Sequence, residues 1–247
     1  LRVSFTEIVR GSICYMVIAL TQYASLEHTQ NHIHVEFSIP HQIMSSAVLN
    51  GGVVNAKHLV NMKVSKTSSS TELPAVTLAS YCVDAGWLGT SVGMMTAASM
   101  KSFRMASVSI QGIDLVVLVT SGLSNPRRVG DHAEHRIMAA HSEDVGTINV
   151  IVLTSAVLTG AASVEALVIA TEAKAAALQD AEIRSPVSNK IATGTGTDSV
   201  AVVSGHGPET VSYCGKHVLF GEVLGRLVTQ AVASSIAWDS AHSTTDN

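Results

Sequence analysis

The stretch Thr171-Glu172-Ala173-Lys174-Ala175-Ala176-Ala177-Leu178-Gln179 leaves this chain few ways to fold. It is rich in alanine, and it closes a helical run that begins near Thr159, a residue suited to N-capping. At about 100° per residue, Val164, Leu167, Val168, Thr171, Ala175 and Leu178 share one side, the expected buried face. Small residues in the middle of that side let the helix approach a sheet closely. Glu172 and Lys174 stand two apart and do not face each other. They fall on opposite flanks of the stripe, where most such charges are simply solvated borders of a buried face.

The 247 residues suffice for one sizeable core, and 47% hydrophobic against 14% charged residues is a globular composition. One domain over residues 1–238 is expected, with 239–247 a polar, frayed tail. Net charge is −4 with no basic block, which argues against binding nucleic acid through phosphate neutralisation. Cys14, Cys82 and Cys214 are scattered, odd in number and lack CxxC spacing. That points to a reducing, cytoplasmic setting rather than a disulfide framework or zinc ribbon. The apolar run 13–20 is too short to span a bilayer. Arg2 and Arg10 before it and Ala24-Ser25 after it imitate a signal peptide, yet its residues read better as a strand. No membrane insertion is expected. Residue 1 is leucine, so a native start upstream is expected.

Residues 3–9 and 13–20 read as two strands around a turn at 10–12. Segment 32–37 alternates as a half-buried strand, and 45–49 reads as a short strand. Asn50-Gly51-Gly52 then breaks the chain, and a helix is expected over 53–61. The Ser/Thr/Lys-rich segment 63–71 reads as a loop. A helix is expected within 72–85, where Pro74 is tolerated near the start. Strands are expected at 92–98 and 105–110, with the β-branched run 113–120 a central one. Segment 127–144 is polar and irregular. A strand at 150–153, the alanine-rich helix, a glycine-rich turn at 193–198, a strand at 200–203 and a last helix over 217–238 follow. No internal repeat is visible. The mixture gives an α+β (mixed α/β) single domain, with helices packed against a mixed β-sheet.

Three stretches carry chemistry. Gly194-Thr195-Gly196-Thr197-Asp198 lets backbone amides approach a ligand. It precedes a strand and lacks a following Gly-Lys-Ser/Thr, so it is neither a P-loop nor a dinucleotide loop. Its plainest reading is a tight turn presenting Thr195, Thr197 and Asp198. Asn50-Gly51-Gly52, Asn125 and Asn149 are strand-end polar positions near glycine, which turn chemistry explains singly. Together they would form an amide-rich rim suited to neutral, carbonyl-bearing ligands. Histidines make the third group. His32-x-His34 shares a strand face, and Asp131-His132-x-Glu134-His135 with His141 is denser, but helical HExxH spacing is absent. A solvated loop is the plainer reading there, and His206 is a turn histidine or a proton carrier. No G-x-S-x-G elbow is present.

These stretches, taken in order, resemble one family. Residues 45–52 with His58 and Asn61 look like its first motif. Residues 119–125 with Gly130-Asp131 look like its second, and 146–153 its third. Residues 171–179 and 192–198 complete five ordered motifs within about 43–235. The family is that of the CbiZ-type adenosylcobinamide amidohydrolases. The resemblance implies a hydrolase that cleaves the amide joining the aminopropanol arm to the corrin ring of adenosylcobinamide. The products would be adenosylcobyric acid and 1-aminopropan-2-ol, in corrinoid salvage for coenzyme B12 synthesis. The partner is then a small-molecule corrinoid. The cobalt belongs to that substrate, so no protein-bound metal or other cofactor is required. A corrinoid-binding protein without turnover, or a hydrolase of another small amide, would use the same features.

Amide hydrolysis needs an activated nucleophile, an oxyanion stabiliser and an acid for the leaving amine. Glu172 or Asp198 is the candidate base, and Lys174 or His206 the candidate acid. Asn50, Asn125 or the backbone amides of Gly194 and Gly196 are candidate oxyanion donors. Substrate contacts are expected from Asn50, Gly51, Gly52, Asn125, Thr147, Asn149, Thr195, Gly196 and Thr197. Thr195 or Ser124 as a nucleophile is the alternative to activated water. Of the helix pair, Glu172 is expected to face the pocket, and Lys174 to pair with a nearby carboxylate or a sheet-end carbonyl.

Overall fold

The computed structural model describes residues 5–10, 13–65, 72–133 and 146–242, with backbone alone for 5–10 and 13–16. Among the described residues fourteen strands run in chain order: β1 (Phe5–Arg10), β2 (Ile13–Thr21), β3 (Ala24–His28), β4 (His32–Ser45), β5 (Gly52–Lys63), β6 (Ser91–Thr96), β7 (Arg104–Ile110), β8 (Ile113–Ser121), β9 (Pro126–Arg127), β10 (Ile148–Thr154), β11 (Val157–Leu158), β12 (Gly194–Thr195), β13 (Ser199–Ser204) and β14 (Thr210–Val211). The α-helices are α1 (Pro74–Asp84), α2 (Gly160–Asp180) and α3 (Leu219–His242). Ten strands form one mixed sheet in the order β1-β2-β3-β4-β13-β10-β8-β7, with β5 on the other edge of β4 and β6 beside β5. The pairs β5–β6 and β10–β13 are parallel, and each is joined through a crossover helix, α1 and α2 respectively.

The sheet curls so that one part covers another. Successive side chains alternate between faces, so β8, β10 and β13 must fill two cores. Leu115, Val117, Val119, Val150, Val152, Val200 and Val202 pack against α2 and α3. Val116, Leu118, Ile151, Leu153, Ala201 and Val203 face inward, against Leu26, Val35, Leu59 and Met94 of β3–β6. Helix α1 closes the far side over Val60 and Met62. The layers are therefore α2/α3, sheet, sheet, α1. This is the expected α+β class with a mixed sheet.

Several expectations fail. Of the expected strand 45–49 only Ser45 is in one, as the last residue of β4, and Leu49 makes an isolated bridge to Gly93. Residues 53–61 are not a helix but belong to the twelve-residue strand β5, paired along β4 on one side and β6 on the other. Two-sided ladder pairing outweighs the local pattern. The buried face of α2 also differs. Val164 and Val168 are 51% and 49% exposed, while Ala162, Ala166, Ala170, Ala173, Lys174 and Ala177 are buried. The helix is rotated by roughly a third of a turn from the expected stripe. Its alanine side is the one thin enough to lie between the sheet and α3. Thr159 does cap it, accepting a hydrogen bond from the Ala162 N–H at 3.2 Å. Helix α3 runs on to His242, four residues past its expected end, and Asp239 accepts a hydrogen bond from the Leu123 N–H. The turn residues Gly11-Ser12, segment 66–71, Glu134, His135, His141 and the tail beyond 242 lie outside the described residues.

Beneath α1 lies a histidine cluster. His34 Nε2 and His58 Nδ1 are 3.1 Å apart, and Trp87 stacks on His34 at 3.8 Å between ring centroids. His32 Nδ1 is 2.7 Å from the Tyr81 hydroxyl. His32 and His34 do share a strand face, but among the described residues no group of three or more side chains is arranged to hold a metal. Burial pushes the His32 imidazole down to about 4, against the pull of Glu27.

Two outcomes follow from this packing. Ala170→Leu puts excess volume against fully buried surroundings and is expected to cost ~1–3 kcal/mol in urea denaturation. His32 is neutral when folded and binds a proton below about 6.5 when unfolded. Its contribution is therefore complete above 6.5 and lost as pH falls toward 4. Between those values His32→Gln is expected to flatten the stability–pH slope by up to about 1.4 kcal/mol per pH unit, measured by denaturant titration at each pH.

Candidate functional site

The unit β10–α2–β13 brings together a loop, a helix side chain and a strand start. The Asp198 carboxylate, just before β13, accepts hydrogen bonds from the N–H groups of Ile148 (2.8 Å) and Thr195 (3.0 Å) and from the Thr195 hydroxyl (2.6 Å). Lys174 of α2 forms an ion pair with Asp198 Oδ2, and the two side chains are only 7% and 10% exposed. A β-carbon at position 194 would collide with that carboxylate and lie 2.8 Å from Lys174 Nζ, so only glycine admits the pair. The Thr195 hydroxyl also lies 2.8 Å from the Gly146 carbonyl, which Thr197 approaches at 3.0 Å. Thr147 and Thr197 hydroxyls are 2.5 Å apart. A single hydroxyl proton serves one acceptor at a time, so Thr195 can turn between Asp198 and Gly146.

Asn125 lies beside this loop, and its state is unusual. It is 7% exposed, and neither its amide nitrogen nor its carbonyl oxygen has a hydrogen-bond partner. Leaving such a group unpaired costs roughly 1–3 kcal/mol. A β-carbon on Gly146 would collide with Asn125 Oδ1, and one on Gly196 would sit 3.1 Å from Nδ2. Ser124 and Gly146 line a cavity of about 990 Å³ together with Lys63, Ala98, Leu123 and Trp238. Inward from it, between the two sheet layers, Asn61 donates to the Thr120 hydroxyl (2.8 Å) and accepts from Asn149 (2.8 Å). Asn149 also donates to the Met95 carbonyl (2.9 Å) and accepts from the Ser199 N–H (3.2 Å). Farther along the 125–131 loop, hydrogen bonds from the Ser185 hydroxyl and the Arg128 N–H hold the Asp131 carboxyl down to about 2.

The family model for adenosylcobinamide amidohydrolase, CbiZ, matches residues 18–244. The chain belongs to this family. Two relatives are similar to this chain. An adenosylcobinamide amidohydrolase of Methanosarcina mazei is 26% identical over 200 residues, covering 77% of this chain and 88% of the relative. The uncharacterized protein MJ1613 of Methanocaldococcus jannaschii is 32% identical over 157 residues, 58% of this chain. The chain spans 61% of that relative's length. Among solved structures, the PH0078 protein from Pyrococcus horikoshii aligns at TM-score 0.37 and 9% identity, covering 96% of this chain and 83% of that one. The L-aminopeptidase D-Ala-esterase/amidase from Ochrobactrum anthropi aligns at 0.37 and 11%, covering 95% and 83%. Scores this low transfer neither fold nor chemistry.

In this CbiZ-family chain, Lys174, Asp198, Thr195, Gly196, Thr197, Thr147 and Asn125 come together around one loop. Glu172 does not join them. It points outward, 48% exposed, and pairs with Lys216 at the start of the segment leading to α3. The expectation that Glu172 rather than Lys174 faces the site is thus reversed, because the helix phase turns Lys174 inward. Lys174 does pair with a nearby carboxylate, and that carboxylate is Asp198. Asn50 is tied elsewhere. Its amide donates to the Ser91 carbonyl at 2.8 Å, and with φ of 53° it makes the β4–β5 turn with Gly51 and Gly52. His206 follows the opposite end of β13 and contacts the Pro40 carbonyl and His41. Asn149 is fully engaged in the inner network. The Gly146 carbonyl and the Ile148 N–H, both backbone groups, carry no side-chain signal and were not foreseen.

Removing one member of the buried pair is far costlier than removing the outer one. Lys174→Met is expected to lose ~3–5 kcal/mol of stability, and Glu172→Gln at most ~1 kcal/mol, both read from urea midpoints.

Proposed function

We propose that the protein hydrolyses the amide joining the aminopropanol arm to the corrin ring of adenosylcobinamide, releasing adenosylcobyric acid and 1-aminopropan-2-ol in corrinoid salvage. Membership of the amidohydrolase family supports the reaction class. The observation that carries the chemistry is the Thr195 hydroxyl, which donates to Asp198 Oδ1 at 2.6 Å while Lys174 holds the other carboxylate oxygen. A nucleophile hydrogen-bonded to a base that a third group orients is the usual signature of covalent catalysis.

In this mechanism Thr195 Oγ1 attacks the amide carbon as its proton passes to Asp198. The tetrahedral intermediate collapses when the leaving nitrogen takes a proton from the Asp198–Lys174 pair. The resulting threonyl ester is cleaved by water, which returns its proton through Asp198 and restores the hydroxyl. The sum is amide plus water giving acid plus amine. Thr147, Gly196 and Thr197 edge the reacting loop, and the cavity beside Ser124 and Gly146 takes the bulk of the substrate. Cobalt enters only as part of the corrinoid. A cytoplasmic location agrees with the buried free thiols of Cys82 and Cys214; burial and Glu165 push the latter up to about 12. Among the described residues no helix is long and apolar enough to cross a membrane.

Incubation with adenosylcobinamide, followed by mass detection of cobyric acid, tests the reaction. Asp198→Asn and Thr195→Ala are each expected to lower kcat by about a hundredfold or more, whereas Thr195→Ser retains activity. Near-normal turnover by both folded variants would overturn the assignment. A trapped acyl-enzyme at Thr195 separates covalent attack from activated water. Binding without release of 1-aminopropan-2-ol would mark a corrinoid-binding protein instead.

A further inference from the structure

Asn125 is polar where the fold gives it nothing to do. Both ends of its carboxamide are buried without a partner, so a leucine of similar shape would serve the packing at no polar cost. Its surroundings are nonetheless built around it. Gly146, against which Oδ1 rests, lines the cavity, and so does the adjacent Ser124. Gly196, next to Nδ2, belongs to the reacting loop. With glycine at 146 and 196, no side chain from either position covers the carboxamide, and the neighbouring Ser124 and Gly146 place it at the edge of the cavity.

One donor and one acceptor on the same edge of a planar group have a specific complement. A primary carboxamide presents a C=O and an N–H side by side and closes a two-bond ring with asparagine. A trans secondary amide, such as the scissile one, points those two groups in opposite directions and cannot. A carboxylate offers only acceptors and would set an oxygen against Asn125 Oδ1. We infer that Asn125 reads a primary carboxamide of the substrate and rejects the corresponding carboxylate. On the function proposed above, on which this assignment rests, the group read is a peripheral carboxamide arm of the corrin, not the bond that is cut. Asn125 is then a specificity-determining residue, and oxyanion stabilisation falls to other groups.

The experiment compares adenosylcobinamide with a derivative in which one peripheral carboxamide has been hydrolysed to the acid, taking each monoacid isomer in turn. For the intact enzyme at least one isomer is expected to lose roughly a hundredfold in kcat/KM, as sites built to pair a polar group reject analogues that cannot pair it. Asn125→Leu is expected to fold and to bring that ratio close to one, with the loss on the full substrate mainly in KM. Asn125→Asp is expected to shift preference away from every monoacid and weaken the parent as well. Equal handling of all isomers by the intact protein, or an unchanged ratio in Asn125→Leu, overturns the inference. Should neither corrinoid be turned over, the hydrolytic function falls on its own. Equilibrium binding of the same compounds, followed by absorbance, then decides Asn125 by the same ratio, and no binding of any of them overturns the inference too.

Discussion

A lysine ammonium and an aspartate carboxylate, both nearly removed from water, hold the candidate site together. Neither charge would be tolerated there alone. Asp198 gathers two backbone N–H groups, a hydroxyl and an ammonium, which ties the start of β10, the loop before β13 and the flank of α2 into one cluster. The loop 194–198 needs no secondary structure of its own beyond the two residues of β12. Its shape is dictated by a carboxylate that must be fully solvated by protein.

The two sheet layers divide the polar work. Asn61, Thr120 and Asn149 join β5, β8 and β10 across the inner core, and their hydrogen bonds are made within the fold. That network adds directional bonds between the strands to the apolar packing on the same inner face. Asn125 lies outside it, one loop away, with its capacity unspent. A satisfied asparagine and an unsatisfied one, so close in sequence character, mark the boundary between what the fold requires and what, on our proposal, a ligand supplies.

Most of the architecture was legible in the sequence. The β-branched run in β8, the Thr159 cap, Pro74 at the start of α1 and the turn before β13 all follow from local chemistry. Strand β5 did not, since its identity comes from partners on both edges rather than from its own pattern. In the site, Asp198, Thr195, Thr147 and Asn125 stood out as polar residues beside glycine. The direction of α2 did not, because bulk favoured the valine side, while the geometry of a helix wedged between a sheet and α3 favoured alanine. That one error in phase exchanged Glu172 for Lys174. The Gly146 carbonyl and the Ile148 N–H were beyond reach, since every residue possesses them.

The alanine face of α2 has a consequence for how such a chain tolerates change. Lys174 reaches Asp198 only because Ala166, Ala170, Ala173 and Ala177 let the helix settle onto the sheet and α3. Added volume at any of them lifts the helix and carries the ammonium away from its carboxylate. The charge pair therefore sets a limit on size along the whole face, from Ala173 beside Lys174 to Ala166 more than a turn away, and the compensating changes belong on α3, as side chains made smaller.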